Sequence, residues 1–158
     1  MKQKIQTLQT QLAQGLINRE DEIKASLLTM IAGENIVLVG RPGTGKSMVA
    51  RKMSQALAPI NTENNYFEYL LTKFSTPEEI FGPLSISELK KDNFVRNTAG
   101  YLPTARVAFL DEIFKASSSI LNALLTVLNE RKYHNGTKTE DIPLQTLVSA
   151  SNELPNGD

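Results

Sequence analysis

The 158-residue chain has no cysteine, no tryptophan and one histidine, His134. Without cysteine it can hold no disulfide framework, no thiol nucleophile and no thiolate metal site. One histidine cannot build a multi-histidine metal centre. Charge of one sign is also missing: 17 Lys+Arg stand against 17 Asp+Glu. A protein that grips a nucleic-acid backbone by charge shows a basic excess, so nucleic acid is not the expected partner. Long apolar runs are absent, and Val107 to Leu110 falls far short of the roughly 20 residues that cross a bilayer. The amino terminus, MKQKIQTLQTQLAQGL, lacks the apolar core of a signal peptide. The expectation is a cytoplasmic protein with no transmembrane segment.

What is present suffices for one globular domain over residues 1–158, with 41% hydrophobic and 22% charged residues. Ile5, Leu8, Leu12 and Leu16 recur at helical spacing. Asn18 can cap a second helix, with Glu20, Asp21 and Glu22 in its first turn and Ile23, Leu27, Leu28 and Ile31 as its buried face; Gly33 ends it. Ile36 to Val39 is a short β-branched run that reads as a strand buried on both faces of a parallel sheet. A helix from Met48 to Leu57 is stopped by Pro59. Tyr66 to Thr72 reads as a strand, and Thr76, Pro77 and Glu79 as a capping box opening a short helix. Residues 84–87 and 93–96 suggest a hairpin or loop excursion. Val107 to Leu110 and Thr146 to Ala150 are further buried strands. Between them lie a helix from Ser117, with Ile120, Leu121, Leu124, Leu125 and Leu128 on one face, and a hairpin turning at Asn135 and Gly136. Strand and helix alternate, so the class is α/β.

The sequence GRPGTGKS at 40–47 follows one strand and opens one helix. Gly40, Gly43 and Gly45 allow a tight loop whose backbone N–H groups converge on phosphate oxygens, at the positive end of the following helix. Arg41, Pro42, Thr44 and Met48 complete the expected nucleotide-binding stretch. Lys46 is a mobile cation for the β- and γ-phosphates, and the Ser47 hydroxyl is a hard ligand for Mg²⁺. Asp111 and Glu112 end an apolar strand, where the first can hold Mg²⁺ through water and the second can orient and partly deprotonate an attacking water. Asn152, after the last strand, can hydrogen-bond the γ-phosphate or that water. The expected catalytic residues are therefore Glu112 and Lys46, and the metal ligands Ser47 and Asp111; Asn152, which by itself reads slightly better as a turn residue before Pro155, joins the catalytic set through the family resemblance that follows.

The stretches GENIVLVGRPGTGKS (33–47), FEYLLTKFSTPEEIFGPLSI (67–86), GYLP (100–103), FLDEIFKASSSILNALLTVLNERKYHNGT (109–137) and SASNELP (149–155) together resemble the MoxR group of AAA+ ATPases, and look closest to its RavA subfamily. The resemblance implies a three-layer αβα P-loop NTPase core with sheet order 5-1-4-3-2. It makes 33–47 the P-loop region, 84–100 a helix-2 insert, 107–112 the Walker B segment, 131–143 a pre-sensor-1 hairpin and 146–152 the sensor-1 strand. It puts segment 17–20 near adenine, and names ATP and Mg²⁺ as ligands. It also implies a hexameric ring, a partner with a von Willebrand factor A domain, and protein clients that are remodelled. Tyr133, His134 and the nearby lysines are then either client contacts or a plain exposed hairpin. Arg41 stands where the family often has proline, and is read as a solvent-facing loop residue more readily than as a phosphate or subunit contact.

The family's arginine finger, fifth strand, helical lid and sensor 2 are expected beyond Asp158, so the chain reads as a fragment. An apolar edge strand would then make it fold marginally or self-associate, and hydrolyse ATP poorly alone. Two other functions stay open. One is a DNA-acting motor of the MCM type, which shares the inserted hairpins. The other is a nucleotide-gated binding module without efficient hydrolysis. No motif reads adenine over guanine.

Overall fold

A parallel sheet covered on both faces needs continuous apolar runs in its central strands, and the computed structural model of the chain puts two such runs there. It describes residues 2–15, 18–57 and 66–153. In chain order the elements are α1 (Lys2–Ala13), α2 (Glu20–Ala32), β1 (Ile36–Val39), α3 (Lys46–Ala56), β2 (Tyr66–Leu70), α4 (Pro77–Phe81), α5 (Ile86–Leu89), β3 (Val107–Asp111), α6 (Ser118–Glu130), β4 (Lys132–Asn135), β5 (Lys138–Asp141) and β6 (Thr146–Ser151). Short 3-10 turns lie at Leu102–Thr104 and Ile113–Lys115. The main sheet runs β1-β6-β3-β2, with every pairing parallel. β4 and β5 pair separately as an antiparallel hairpin. The class is α/β, and the sheet order corresponds to 1-4-3-2 of the order that the resemblance implies. Among the described residues no strand pairs with the outer edge of β1.

β3 and β6, the central strands, are buried almost throughout. One face of the sheet is covered by α1, α2 and α3, where Leu12, Ile23, Leu27, Val49 and Met53 pack with Val107. The other is covered by α4 and α6, whose Ile80, Phe81, Ile120, Leu124 and Val127 pack on Ala108, Leu110 and Leu147. That second layer includes no residue of β1. Val37 and Val39 are in consequence 52% and 48% exposed, which corrects the reading of β1 as buried on both faces. An edge position, not composition, sets their exposure.

Helix faces are narrower than the sequence suggests. Ile23, Ser26, Leu27 and Met30 form the inner stripe of α2, leaving Leu28 and Ile31 exposed on its flank. In α6 the inner stripe is Ile120, Leu124 and Val127, with Leu121 and Leu125 outside it. Asn18 does not cap α2: it sits at φ 54°, and Arg19 occupies the capping position. Gly33, at φ 74°, ends that helix as read. The capping box of α4 forms, with the Thr76 N–H donating to Glu79 Oε2 at 2.7 Å. This bond, ahead of one from Tyr69, holds the Glu79 carboxyl below its ordinary value. Leu16, Ile17, Pro59 and the end of the SASNELP stretch from Leu154 lie outside the described residues.

The 84–100 segment is not a hairpin. It is a loop excursion that contains α5 and one isolated antiparallel bridge, Leu84 with Arg96: the helix that starts at Ile86 ends the pairing, and the far edge of Arg96 is taken by the β4–β5 turn. The Asn135 side chain accepts from Arg96 N–H at 2.7 Å and donates to Arg96 C=O at 3.1 Å. Asn135 is thereby withdrawn from the turn: it pairs with Lys138, and Gly136 and Thr137 are the central residues, with Gly136 at φ 64°. Asn135→Ala leaves two part-buried backbone groups of Arg96 without this partner and is expected to destabilise the domain by about 2 kcal/mol in urea unfolding. Asn135→Asp keeps the acceptor but not the donor, and should fall in between.

Gly82 closes α4 at φ 98°, and a Cβ there would stand 2.0 Å from the Asn97 carbonyl oxygen. Gly82→Ala is expected to cost about 3 kcal/mol or more, since backbone strain and collision add. A thermal melt would show it as a lowered Tm with the same cooperative transition.

Candidate functional site

Parallel pairing brings the carboxyl ends of β1, β6 and β3 to one edge of the sheet. The register sets Val39 opposite Ser151, and Leu110 opposite Ser149. The residues that follow, Gly40, Asn152 and Asp111 with Glu112, therefore emerge side by side despite their distance in sequence. A bond from Gly40 N–H to the Ser151 carbonyl, 3.0 Å, ties the first two together.

The 40–47 loop takes the turn its glycines permit. Gly43 and Gly45 lie at φ 74° and 80°, and Gly45 is the residue that opens α3. A Cβ on Gly43 would meet nothing within 4 Å, so backbone angle rather than space favours glycine there. The Thr44 hydroxyl donates to the Arg41 carbonyl at 2.9 Å and closes the turn. Lys46 Nζ reaches back to the carbonyls of Gly40 at 2.7 Å and Arg41 at 3.1 Å, and to Asn152 Oδ1 at 3.0 Å.

An open cleft of about 340 Å³ separates this loop from the acids. Pro42 to Ser47 form one wall; Asp111, Glu112, Lys115 and Asn152 form the other, with Leu70 at the margin. Asp111 Oδ1 accepts from the Glu112 N–H at 2.9 Å. Glu112 itself lies at φ 55°, ψ 45°, an uncommon backbone state for a residue with a side chain. Its Oε1 accepts a bond from Asn152 Nδ2, and its Oε2 lies 3.4 Å from Lys115 Nζ. Lys46, Asn152, Glu112 and Lys115 thus form one polar chain across the cleft.

Of the residues singled out from sequence, Pro42, Gly43, Thr44, Gly45, Lys46, Ser47, Asp111, Glu112 and Asn152 are brought together here. Gly40 lines a neighbouring cleft of about 180 Å³, along with Arg19, Glu22, Val37 and Val39. In that cleft Arg19 pairs with Glu22, and this bond holds the Glu22 carboxyl below its ordinary value. The Arg41 and Met48 side chains are exposed and line neither cleft. Tyr133, read as hairpin surface, is buried and stacked on Phe81 at 5.4 Å between ring centres, and burial pushes its hydroxyl pKa up. His134 is exposed, its Nδ1 3.0 Å from the Thr139 hydroxyl. As site residues Lys115 and Glu22 escape the sequence pattern, and Arg19 enters it only as part of segment 17–20. Only the first left a local signal, a lysine three residues after the Asp-Glu pair.

The donor chemistry suits magnesium. The Ser47 hydroxyl and Asp111 carboxylate are hard oxygen groups on the same cleft. Among the described residues no cluster of three or more acidic, histidine or cysteine side chains could cage a metal. An ion held here would therefore draw on phosphate oxygens and water for its other ligands, as Mg²⁺ commonly does.

A parallel α/β sheet with a glycine-rich loop after its edge strand, an acid pair after β3 and an asparagine after β6 defines a P-loop domain of the AAA+ type. The chain belongs to the MoxR family of AAA+ ATPases: residues 3–158 match the family described as the MoxR domain in the MoxR-vWA-beta-propeller ternary systems. An uncharacterised protein of Methanocaldococcus jannaschii is 52% identical over 153 residues, covering 96% of this chain and 39% of that protein. The chain thus spans well under half of this relative. Among solved structures, a Cytophaga hutchinsonii protein assigned as an ATPase aligns with TM-score 0.72 and 18% identity over 99% of this chain and 45% of its own. The Saccharomyces cerevisiae Hsp104–ADP complex aligns with TM-score 0.65 and 21% identity over 97% and 28%. At those identities the likeness is one of fold. Among the described residues no helix is long and apolar enough to cross a membrane.

Proposed function

We propose that the chain is the nucleotide-binding part of an ATP-hydrolysing machine that remodels other proteins. The observation that carries this is the single cleft shared by Lys46, Ser47, Asp111, Glu112 and Asn152. Backbone N–H groups of 43–47 and the amino end of α3 bind the phosphates. Lys46 exchanges its bonds to the Gly40 and Arg41 carbonyls for phosphate oxygens. Ser47 and Asp111 hold Mg²⁺, which neutralises phosphate charge when bound. Glu112 orients the attacking water and accepts its proton, and Asn152 aligns that water against the terminal phosphate. The second cleft, beside Arg19 and Glu22, takes the base and ribose, with ATP as the nucleotide.

The segment roles inferred from resemblance fit within this reading: 84–100 as the helix-2 insert, 107–112 as Walker B, 131–143 as the pre-sensor-1 hairpin and 146–152 as the sensor-1 strand. The family match to ternary systems favours a partner bearing a von Willebrand factor A domain, together with a β-propeller protein. A hexameric ring and client remodelling are part of the same proposal. The likeness to the RavA subfamily rests on the motifs alone.

Calorimetry on the full-length protein tests the first step: magnesium-dependent ATP binding is expected, and no uptake of any purine triphosphate would remove the proposal. DNA-stimulated hydrolysis would favour the MCM-type reading instead. An assembled complex that binds ATP but fails to hydrolyse it in a single turnover would leave a nucleotide-gated binding module.

A further inference from the structure

Lys115 has no part in the chemistry described so far, yet it faces the cleft. The chain turns sharply after Asp111: Glu112 takes a left-handed backbone conformation and opens the 3-10 turn Ile113–Lys115, with Lys115 N–H bonded to the Glu112 carbonyl at 2.8 Å. That bond keeps the two residues close, and Lys115 Nζ lies 3.4 Å from Glu112 Oε2. Glu112 Oε1 is meanwhile taken by the Asn152 amide, which is also bound to Lys46.

We infer that Lys115 is a positioning residue for Glu112, fixing the direction in which its carboxylate faces the cleft. This rests on the proposed function, in which Lys46 and Asn152 turn to the phosphate and the water. Lys115, tied to Glu112 by a local turn, is then the polar partner left to the carboxylate among the described residues. By holding Oε2 it leaves Oε1 to meet the water. It acts through Glu112 and is not itself a phosphate ligand. Its side chain is 51% exposed against 10% for Glu112, so replacing it removes a charge and leaves the core intact.

The test uses the full-length protein with Lys115→Met and Lys115→Arg, each alone and combined with Glu112→Gln. In the Glu112→Gln background, the MgATP dissociation constant measured by calorimetry is expected to stay within about twofold when Lys115→Met is added. With Glu112 intact, single-turnover hydrolysis should fall about tenfold in Lys115→Met and recover largely in Lys115→Arg, a misplacement penalty below the full contribution of a general base. The Glu112→Gln, Lys115→Met pair should be no slower than Glu112→Gln alone, because the lysine works only through that carboxylate. Tenfold weaker MgATP binding would make Lys115 a phosphate ligand and overturn the inference. So would an unchanged turnover rate in Lys115→Met, or a further loss in the pair. Absence of MgATP binding by the wild-type protein would overturn the functional reading, and this inference with it.

Discussion

Lys46→Ala is expected to reduce MgATP binding by the full-length protein at least about a hundredfold. An ammonium group donating to phosphate oxygens contributes about 1.5–3 kcal/mol per bond, and loss of two such bonds reaches that factor. Here Lys46 Nζ already has three acceptors, the Gly40 and Arg41 carbonyls and Asn152 Oδ1. All three N–H donors are thus in use, so each bond to phosphate replaces one of these and the gain is net of the bond given up. Alanine also frees Asn152, and with it one hold on Glu112. Calorimetry measures the loss directly, and a thermal melt should show the wild-type shift with MgATP and none in the variant. An unchanged dissociation constant would mean that the loop does not bind phosphate through Lys46.

Glu112→Gln separates binding from chemistry. The amide is nearly isosteric and can still accept the Asn152 hydrogen bond, so the MgATP dissociation constant should stay within about threefold of wild type. Turnover should fall by about 10²–10⁴, the span expected for removing a general base. An equal fall in kcat and kcat/KM is the signature of an interaction made only in the transition state. Normal hydrolysis by this variant in the full-length protein would take the base away from Glu112. Both experiments are made on the full-length protein.

Much of the fold was legible because its signals are local. The apolar runs at 36–39, 107–110 and 146–150, the capping box at Thr76 and the glycine after α2 depend on near neighbours, and they place β1, β3, β6, α4 and the end of α2. The readings that failed concern what covers an element. Val37 and Val39 look like core in sequence, yet lie on an edge strand. Leu28, Leu121 and Leu125 are apolar residues on the flanks of helices whose inner stripes belong to others. Tyr133 stands on a hairpin that reads as exposed, whether as client contact or plain surface, and instead stacks on Phe81, more than fifty residues earlier in the chain. Asn135 reads as a turn residue, while its side chain is committed to Arg96.

By itself the sequence determined the phosphate loop and the acid pair, because each is made from consecutive residues: backbone N–H groups in a glycine turn, and carboxylates at the end of one apolar strand. The tertiary structure alone decided that Asn152 stands between Lys46 and Glu112. It decided too which apolar residues are core. Those outcomes depend on strand order and parallel register, which bring distant segments to one sheet edge, and on helix coverage, which no local pattern encodes.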